Sequence, residues 1–313
     1  MTTHRDTGYG VRAGESPIRL LDAPGVGSFT ERVLTARYTN WGLDPTLARR
    51  ILDTVRRHAD SPEDAIRHVH AGVMDFQHCT AWRDAYARYE RQVKYSVTFA
   101  QVRSLLASAR PERVVDVGAG SLRLGHELAY GYPGARVVGT DVLDHDPPAG
   151  PPNLEFRRQR EPTRIPVGDA SADVVVLNAV LHHVQPHDVP ALLADVRRIL
   201  APRGQVVLVE DTYSLHAPVT GRHADRRLTE DFLAETARHG PQFAHDLFSY
   251  FDWHGNILVG GATDMPMAYN FQPLEGWLET LDSAGLPGRQ ARYFGFLALG
   301  FHKTSVGAVI AHG

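Results

Sequence analysis

The segment Val114–Leu122, with the sequence VVDVGAGSL, constrains the fold of this chain more than any other. A run of β-branched residues ends in an acid, and Gly118 and Gly120 follow before a helical pattern begins. Glycines allow the backbone to turn sharply and a ligand to approach closely, while the first N–H groups of the next helix face that ligand. The segment therefore predicts a strand, a tight turn and a helix, with a nucleotide-like molecule bound at the turn.

A second acid ends the next apolar segment, Arg136–Asp141. A carboxylate at the end of the second strand suits the two hydroxyl groups of a ribose. The third glycine of the dinucleotide-binding fingerprint is missing, because Arg123 occupies its position. The two motifs together favour a nucleotide-like ligand and disfavour a dinucleotide.

After Pro111, short apolar strands alternate with helical segments, as is typical of a mainly parallel sheet with helices on both faces. The pattern before Pro111 is helical. We predict strands near residues 113–117, 136–140, 153–157, 173–178 and 205–210. We divide the chain into a flexible tail (1–27), a helical cap (28–109) and a sheet domain (110–313) with a lid insertion at about 211–272.

Four motifs in this order resemble the class I S-adenosylmethionine-dependent methyltransferases, especially the bacterial small-molecule type of natural product biosynthesis. They are Asp116–Gly120 (DVGAG), Gly139–Asp141 (GTD), Ile165–Asn178 (IPVGDASADVVVLN) and Val196–Glu210 (VRRILAPRGQVVLVE). The resemblance implies an α/β fold with a Rossmann-like, mainly parallel seven-stranded sheet, closed by an antiparallel hairpin of residues 289–301 and 306–312. It also implies S-adenosylmethionine as the cofactor and S-adenosylhomocysteine as its product.

The same resemblance implies which residues hold the cofactor. They are Asp116, Gly118 and Gly120 for the methionine part, Asp141 for the ribose, Asp169 and Ala170 for the adenine, and also Val142 and Asn178. The structural alternative for an acid at a strand end is a helix cap or a turn.

His182 and His183 are the candidate catalytic residues, because they follow the fourth strand and ligands bind at such strand ends. Methyl transfer needs an aligned acceptor and, where that acceptor is a hydroxyl, removal of its proton, which histidine can perform near neutral pH. His182 is similar to the base of plant-type O-methyltransferases, although His183 and Val184 replace the usual acid and tryptophan. A structural or cofactor-contact role for His182 is the alternative.

The sequence also contains a possible acceptor contact in the lid and two possible metal sites. In the lid, Trp253 and His254 are candidates to contact the acceptor, with core packing as the alternative. A metal site could use the i, i+4 pair His183 and His187, or Asn178 with Glu210 and Asp211, but Pro186 breaks the helix that the pair needs and an amide stands where the catechol-type pattern has an acid. We therefore expect no metal.

Composition restricts the class of partner. The net charge of -3 offers no basic surface for nucleic acid, 43% hydrophobic residues suffice for a core, and no run is long enough to span a membrane. The single cysteine excludes an intrachain disulfide and favours the cytoplasm. We expect a small-molecule acceptor, with neither nucleic acid nor membrane as partner, and the sequence is compatible with a homodimer.

Other enzyme classes fit the motifs less well. Nucleobase amino-methyltransferases have Pro-Pro-aromatic after the fourth strand, where this chain has Ala179–Leu181. Short-chain dehydrogenases need Tyr-x-x-x-Lys, but Glu90 precedes Lys94 and Leu299 precedes Lys303 at that spacing. The remaining alternative is a protein that binds the sulfonium cofactor or its product without methylating, as a cyclase-like catalyst or a binding module.

Overall fold

The computed structural model describes residues 16–73, 80, 84–85, 87, 95–106, 110–144, 150–222, 224–296 and 306–312. Its centre is a sheet with the strand order β3-β2-β1-β4-β5-β7-β6. The strands are β1 (Arg113–Val117), β2 (Arg136–Asp141), β3 (Leu154–Arg158), β4 (Ala172–Asn178), β5 (Leu200–Asp211), β6 (Gly288–Tyr293) and β7 (Val306–His312). Strands β1 to β5 are parallel, and β7 is antiparallel to both of its neighbours.

The described α-helices follow the chain in two groups. Those that precede β1 are α1 (Val26–Asn40), α2 (Leu47–Arg57), α3 (Pro62–His68) and α4 (Tyr95–Leu105). Those that follow are α5 (Arg123–Gly131), α6 (Val189–Ile199), α7 (Arg226–His239), α8 (Pro241–Asp252) and α9 (Leu274–Ser283). A π-helical segment, Trp253–Val259, continues α8 directly. The predicted α/β fold with a mainly parallel, Rossmann-like sheet is confirmed.

Alternation along the strands explains why helices cover both faces of the sheet. Val114 and Val174 point to the face that α4 and α5 cover, through Val102 and Leu128. The next residue of each strand points to the other face, where α6 and α9 pack through residues such as Leu192 and Trp277. Because strand side chains alternate between faces, a continuous run of valines forms two cores at once.

The strand predictions agree with the structure to within one residue for β1 to β4. Strand β5 begins at Leu200 instead of 205, because Leu200 pairs with Ala172 across a bulge in the β4–β5 ladder. The closing hairpin also forms, although β6 ends at Tyr293. Part of the predicted hairpin, residues 297–305, lies outside the described residues.

The cap and the lid share a single hydrophobic core. Phe232 on α7 is fully buried and lies 6.0 Å from Phe29 on α1, between ring centroids, and 4.9 Å from Phe296. The cluster extends from Ile18 to Phe296 and includes residues of α1, α2, α7 and α8. Two segments that are separate in sequence therefore form one helical unit over the sheet.

Two predicted boundaries differ from the structure. Residues 17–22 were placed in the flexible tail, but they form a 3-10 helix that buries Ile18, Leu20 and Leu21, with the Ser16 side chain accepting from the Ile18 N–H. Helix α4 was placed in the cap, but its Val102 packs against the sheet.

Within the described ranges, no helix combines the length and apolar character needed to cross a bilayer.

The shared core predicts that the cap and the lid lose stability together. Replacing Phe232 with alanine should lower the free energy of unfolding by about 3–5 kcal/mol, because a cavity is left between α1 and α7. Urea denaturation measures the change. Tyr130, which is 70% exposed, is the control, and Tyr130→Ala should stay within about 0.5 kcal/mol. Equal effects of the two substitutions would contradict the shared core.

Candidate active site

The turn between β1 and α5 has the open backbone that a bound ligand needs. Gly118 has a φ of +66°, and a Cβ there would meet Val180 Cγ2 at 2.6 Å. Gly120 has a φ of +51°, and a Cβ there would meet nothing within 4 Å, so the space above it is free. The predicted strand, tight turn and helix are therefore present, with room beside the second glycine.

Asp141 connects the end of β2 to this turn. Its Oδ2 accepts the Gly120 N–H at 2.8 Å, and its Oδ1 accepts the Leu143 N–H at 2.9 Å. Each oxygen of a carboxylate can accept more than one hydrogen bond. The geometry is compatible with the predicted ribose contact, because Asp141 and Val142 both line the adjoining cavity.

A cavity of about 310 Å³ lies at the carboxyl edge of the parallel strands. Gly118, Gly120 and Asp141 form one side, where β1 and β2 end. The loop after β4 forms the opposite side, and the lid contributes two residues. The residues from these two regions are Ala179, Val180, His183, Val184, Gln185, Met265 and Pro266.

Asp169 and Ala170 lie at the opposite edge of the sheet, so the adenine role predicted for them is wrong. They precede β4, and the Ala170 carbonyl oxygen accepts from Arg113 Nη1, at the start of β1, at 3.4 Å. The Asp169 side chain is 76% exposed and pairs with Arg198 at 2.6 Å. The motif was recognised correctly, but the loop before a parallel strand lies at the edge away from the ligand.

Gln159 is a cavity residue that the sequence analysis missed. It follows β3 directly, its N–H donates to the Asp141 carbonyl at 2.7 Å, and its side chain lines the cavity while its Nε2 donates to the Pro162 carbonyl. A polar residue directly after the third strand was the available signal, because all parallel strands end at this edge. Gln159 therefore replaces Asp169 as the polar candidate near an adenine ring.

Two other predicted cofactor residues lie beside the cavity. Asp116 is almost fully buried in the centre of the sheet, one residue before Val117, which lines the cavity. Asn178 ends β4 and is half-buried, and the next residue, Ala179, lines the cavity with a φ of +57°. Their contacts with a cofactor remain predictions.

His182 is buried in the loop after β4. Its Nδ1 lies 2.5 Å from Glu210 Oε2, its ring stacks on Phe271 with centroids 4.7 Å apart, and it is 2% exposed. Burial opposes a charge on this ring, but Glu210 and Asp252 prevail and raise its pKa to about 10. Because His182 is protonated at neutral pH in this environment and does not line the cavity among the described residues, the structure does not support the predicted role as a base.

His183 is the member of the pair that faces the cavity. Its Nδ1 lies 2.8 Å from the Pro266 carbonyl oxygen, which can only accept, so Nδ1 carries the proton. Burial lowers the pKa of His183, against the attraction of Asp252, and the ring is neutral at pH 7. Its Nε2 therefore has a lone pair, 3.8 Å from Asp252 Oδ1.

Glu210 explains why this loop is ordered. Its Oε1 accepts the N–H groups of Val180 at 2.9 Å and Leu181 at 2.6 Å, in addition to the contact of Oε2 with His182. The sequence offered Asn178, Glu210 and Asp211 as a possible magnesium site. In the structure, the Glu210 carboxylate of that set binds the loop after β4 instead. The i, i+4 pair is also absent from the site, because His187 is 78% exposed and lies in a turn.

Trp253 and His254 belong to the shared core of cap and lid, so their predicted acceptor contact is wrong. Both are almost fully buried, and Tyr38 of α1 lies 3.0 Å from His254 Nε2 through its hydroxyl oxygen. Burial, followed by the nearby Arg37, lowers the pKa of His254 to about 3, so this ring is neutral. In the π-helical segment, Trp253 packs against Tyr250 of α8, and His254 lies beside the hydroxyl groups of Tyr38 and Tyr250.

Comparisons with known proteins show what this chain is similar to. The family described as "Methyltransferase domain" matches residues 86–254. Malonyl-[acyl-carrier protein] O-methyltransferase of Hahella chejuensis is 27% identical over 179 residues, which are 52% of this chain and 60% of that protein. The chain therefore matches less than two thirds of this relative's length.

Solved structures with a similar fold have low sequence identity. The 1,6-didemethyltoxoflavin-N1-methyltransferase of Burkholderia thailandensis, bound to S-adenosylhomocysteine, is 17% identical, with a TM-score of 0.47 over 78% of this chain and 89% of that one. Human N-acetylserotonin methyltransferase in complex with S-adenosylmethionine is 17% identical, with a TM-score of 0.43 over 86% of this chain and 66% of that one.

The family match covers more than half of the chain, and it includes the glycine turn, Asp141 and the loop after β4. This chain belongs to the methyltransferase family. Its parallel sheet with the antiparallel β7 is the architecture that the sequence analysis expected from the resemblance to the class I, S-adenosylmethionine-dependent type.

Calorimetric titration with S-adenosylhomocysteine tests the revised cofactor site. Asp141→Ala should weaken binding about tenfold or more, because a hydrogen bond to a charged group contributes about 1.5–3 kcal/mol. Asp169→Ala is the matched control and should bind as wild type, since its exposed ion pair with Arg198 lies at the other sheet edge. The reverse order of effects would restore the original adenine assignment.

Proposed function

We propose that this methyltransferase transfers the methyl group to an oxygen, nitrogen or activated carbon of a small-molecule metabolite, in natural product biosynthesis. The observation that carries the proposal is the continuity of the cavity. Gly118, Gly120 and Asp141 line one end, while His183 and Pro266 line the other. A donor at the glycine turn and an acceptor near His183 would then share one enclosed space.

The chemistry requires little more than alignment and exclusion of water. The bound sulfonium supplies a methyl group with an excellent leaving group, and its sulfur keeps the electron pair when the acceptor atom attacks. The protein's part is to hold the acceptor in line and to accept a proton where the acceptor loses one. The apolar residues Val184, Met265 and Pro266 support the exclusion of water from this end of the cavity.

Oxygen is the acceptor atom with the most support. The curated relative methylates an oxygen of malonyl-[acyl-carrier protein], according to its name, and it resembles this chain over 52% of our sequence. The cavity near His183 combines apolar walls with a few polar groups, Gln185 and Asp188 among them. Such a lining suits a metabolite with an apolar body and a polar reactive end.

The alternative, a protein that binds the cofactor without methylating, makes a different prediction. Both hypotheses expect S-adenosylhomocysteine to bind at Asp141. Only the methyltransferase hypothesis expects a label on the methyl group to appear in a second molecule. Cytoplasmic location and a homodimer stay predictions in both cases.

The test uses S-adenosylmethionine with a labelled methyl group and a panel of phenols, β-keto acids, carboxylic acids and amines. We expect label in a small-molecule product, together with an equal amount of S-adenosylhomocysteine, measured by chromatography and mass spectrometry. Asp141→Ala should lower the rate at subsaturating cofactor at least about tenfold, in line with its weaker binding. Tight cofactor binding by wild type with no labelled product from any acceptor class would favour the alternative.

A further inference from the structure

We propose that His182, His183 and Asp252 form a binding site for one divalent transition-metal ion at the lid side of the cavity. The two Nε2 atoms lie 3.7 Å (His182) and 3.8 Å (His183) from Asp252 Oδ1. One possible ligand atom from each of the three residues lies within 4.8 Å of the other two. Two imidazoles and one carboxylate are the ligand set of catalytic zinc sites and of non-haem iron(II) sites.

The separations fit a shared ion better than direct contact. A hydrogen bond between imidazole and carboxylate has a length of about 2.7–2.9 Å, which both distances to Asp252 exceed by nearly 1 Å. Ligand atoms bound tetrahedrally to a metal at about 2.0–2.2 Å are about 3.4 Å apart. A shift of a few tenths of an ångström would bring each histidine Nε2 to that spacing from Asp252 Oδ1.

The hydrogen bonds of the two rings leave their Nε2 atoms directed at the site. His182 Nδ1 contacts Glu210 Oε2 at 2.5 Å, and His183 Nδ1 donates to the Pro266 carbonyl at 2.8 Å. Metal-binding histidines usually donate their other ring N–H to a carboxylate or a carbonyl in this way, which orients the ring and fixes its tautomer. Both kinds of support are present here, one on each histidine.

Asp252 provides a second, independent indication. Its side chain is more than nine-tenths buried, and Oδ1 accepts from Asn256 Nδ2 at 2.6 Å. Its Oδ2 is buried with no hydrogen-bond partner among the described residues. Since an unsatisfied buried carboxylate oxygen is costly, a cation near Asp252 would remove an unfavourable feature.

The position of the site suggests what the ion would do. His183 and Pro266 line the cavity, so an ion with three protein ligands would have open positions on the acceptor side. It would bind acceptors with an ionisable oxygen, such as phenols, enols or carboxylic acids, and favour their deprotonated form. This assignment of acceptor class, unlike the metal site itself, rests on the proposed function.

Titration of metal-depleted protein with Zn²⁺, and separately with Co²⁺, tests the site. We expect one ion per chain, measured by calorimetry and by elemental analysis after dialysis, and a Co²⁺ absorption band of low-coordinate type. His183→Ala and Asp252→Asn should each weaken binding at least about tenfold, since changes even to outer partners cost 10–100-fold. Asp252→Asn keeps the side-chain volume and can keep the contact with Asn256.

His187→Ala is the matched control, because His187 has the i, i+4 spacing to His183 but is 78% exposed. Its Zn²⁺ affinity should equal that of wild type. S-adenosylhomocysteine binding, measured on every variant, reports whether the cavity is still folded. The labelled-methyl assay separates the two proposals, because a chain that binds Zn²⁺ but transfers no methyl group retains the metal site and loses only the proposed function.

Three outcomes would overturn the site. The first is no stoichiometric binding of either ion to wild-type protein, which would mean that the cluster holds a proton instead. The second is equal binding by wild type, His183→Ala and Asp252→Asn, which would place the ion on surface histidines. The third is an equal loss of affinity in His187→Ala and His183→Ala while both variants still bind S-adenosylhomocysteine.

Discussion

The buried carboxylate of Glu210 is the interaction on which the active site depends. It lies one residue before the end of β5, accepts two N–H groups of the loop after β4 and contacts the His182 ring. This loop carries His183 into the cavity and places Val180 against the glycine turn. A single buried side chain of β5 therefore holds the loop that follows β4. Because Glu210 is buried away from water, each of these contacts is strong.

The second constraint is the joint core of cap and lid. Phe232 and its aromatic neighbours attach α7 and α8 to α1, and α8 ends at Asp252, next to the two histidines. The chain then returns over the cavity with Met265 and Pro266. The aromatic core thus positions Asp252 at the end of α8, beside the two histidines. His254 is buried in the same core, and burial lowers its pKa so that the ring is neutral.

Prediction from sequence was most reliable where a local pattern has one structural solution. Strands β1 to β4 alternate or run as valines between turn residues, and Gly118 and Gly120 occupy left-handed conformations that strongly favour glycine. It was least reliable for loops, since Asp169 belongs to a correctly recognised motif but lies at the wrong sheet edge. Gln159 was equally visible in the sequence, and only its position after β3 distinguishes it.

The sequence by itself determined the parallel sheet, the order of its first five strands along the chain, the glycine turn and the carboxylate at Asp141. Short-range periodicity and backbone sterics suffice for these features, because each involves neighbours along the chain. Only the tertiary structure decided which histidine faces the cavity and that Asp252 meets both of them. Asp252 is about seventy residues from the pair in sequence, and its approach follows from the packing of aromatic residues between cap and lid, which no local pattern encodes.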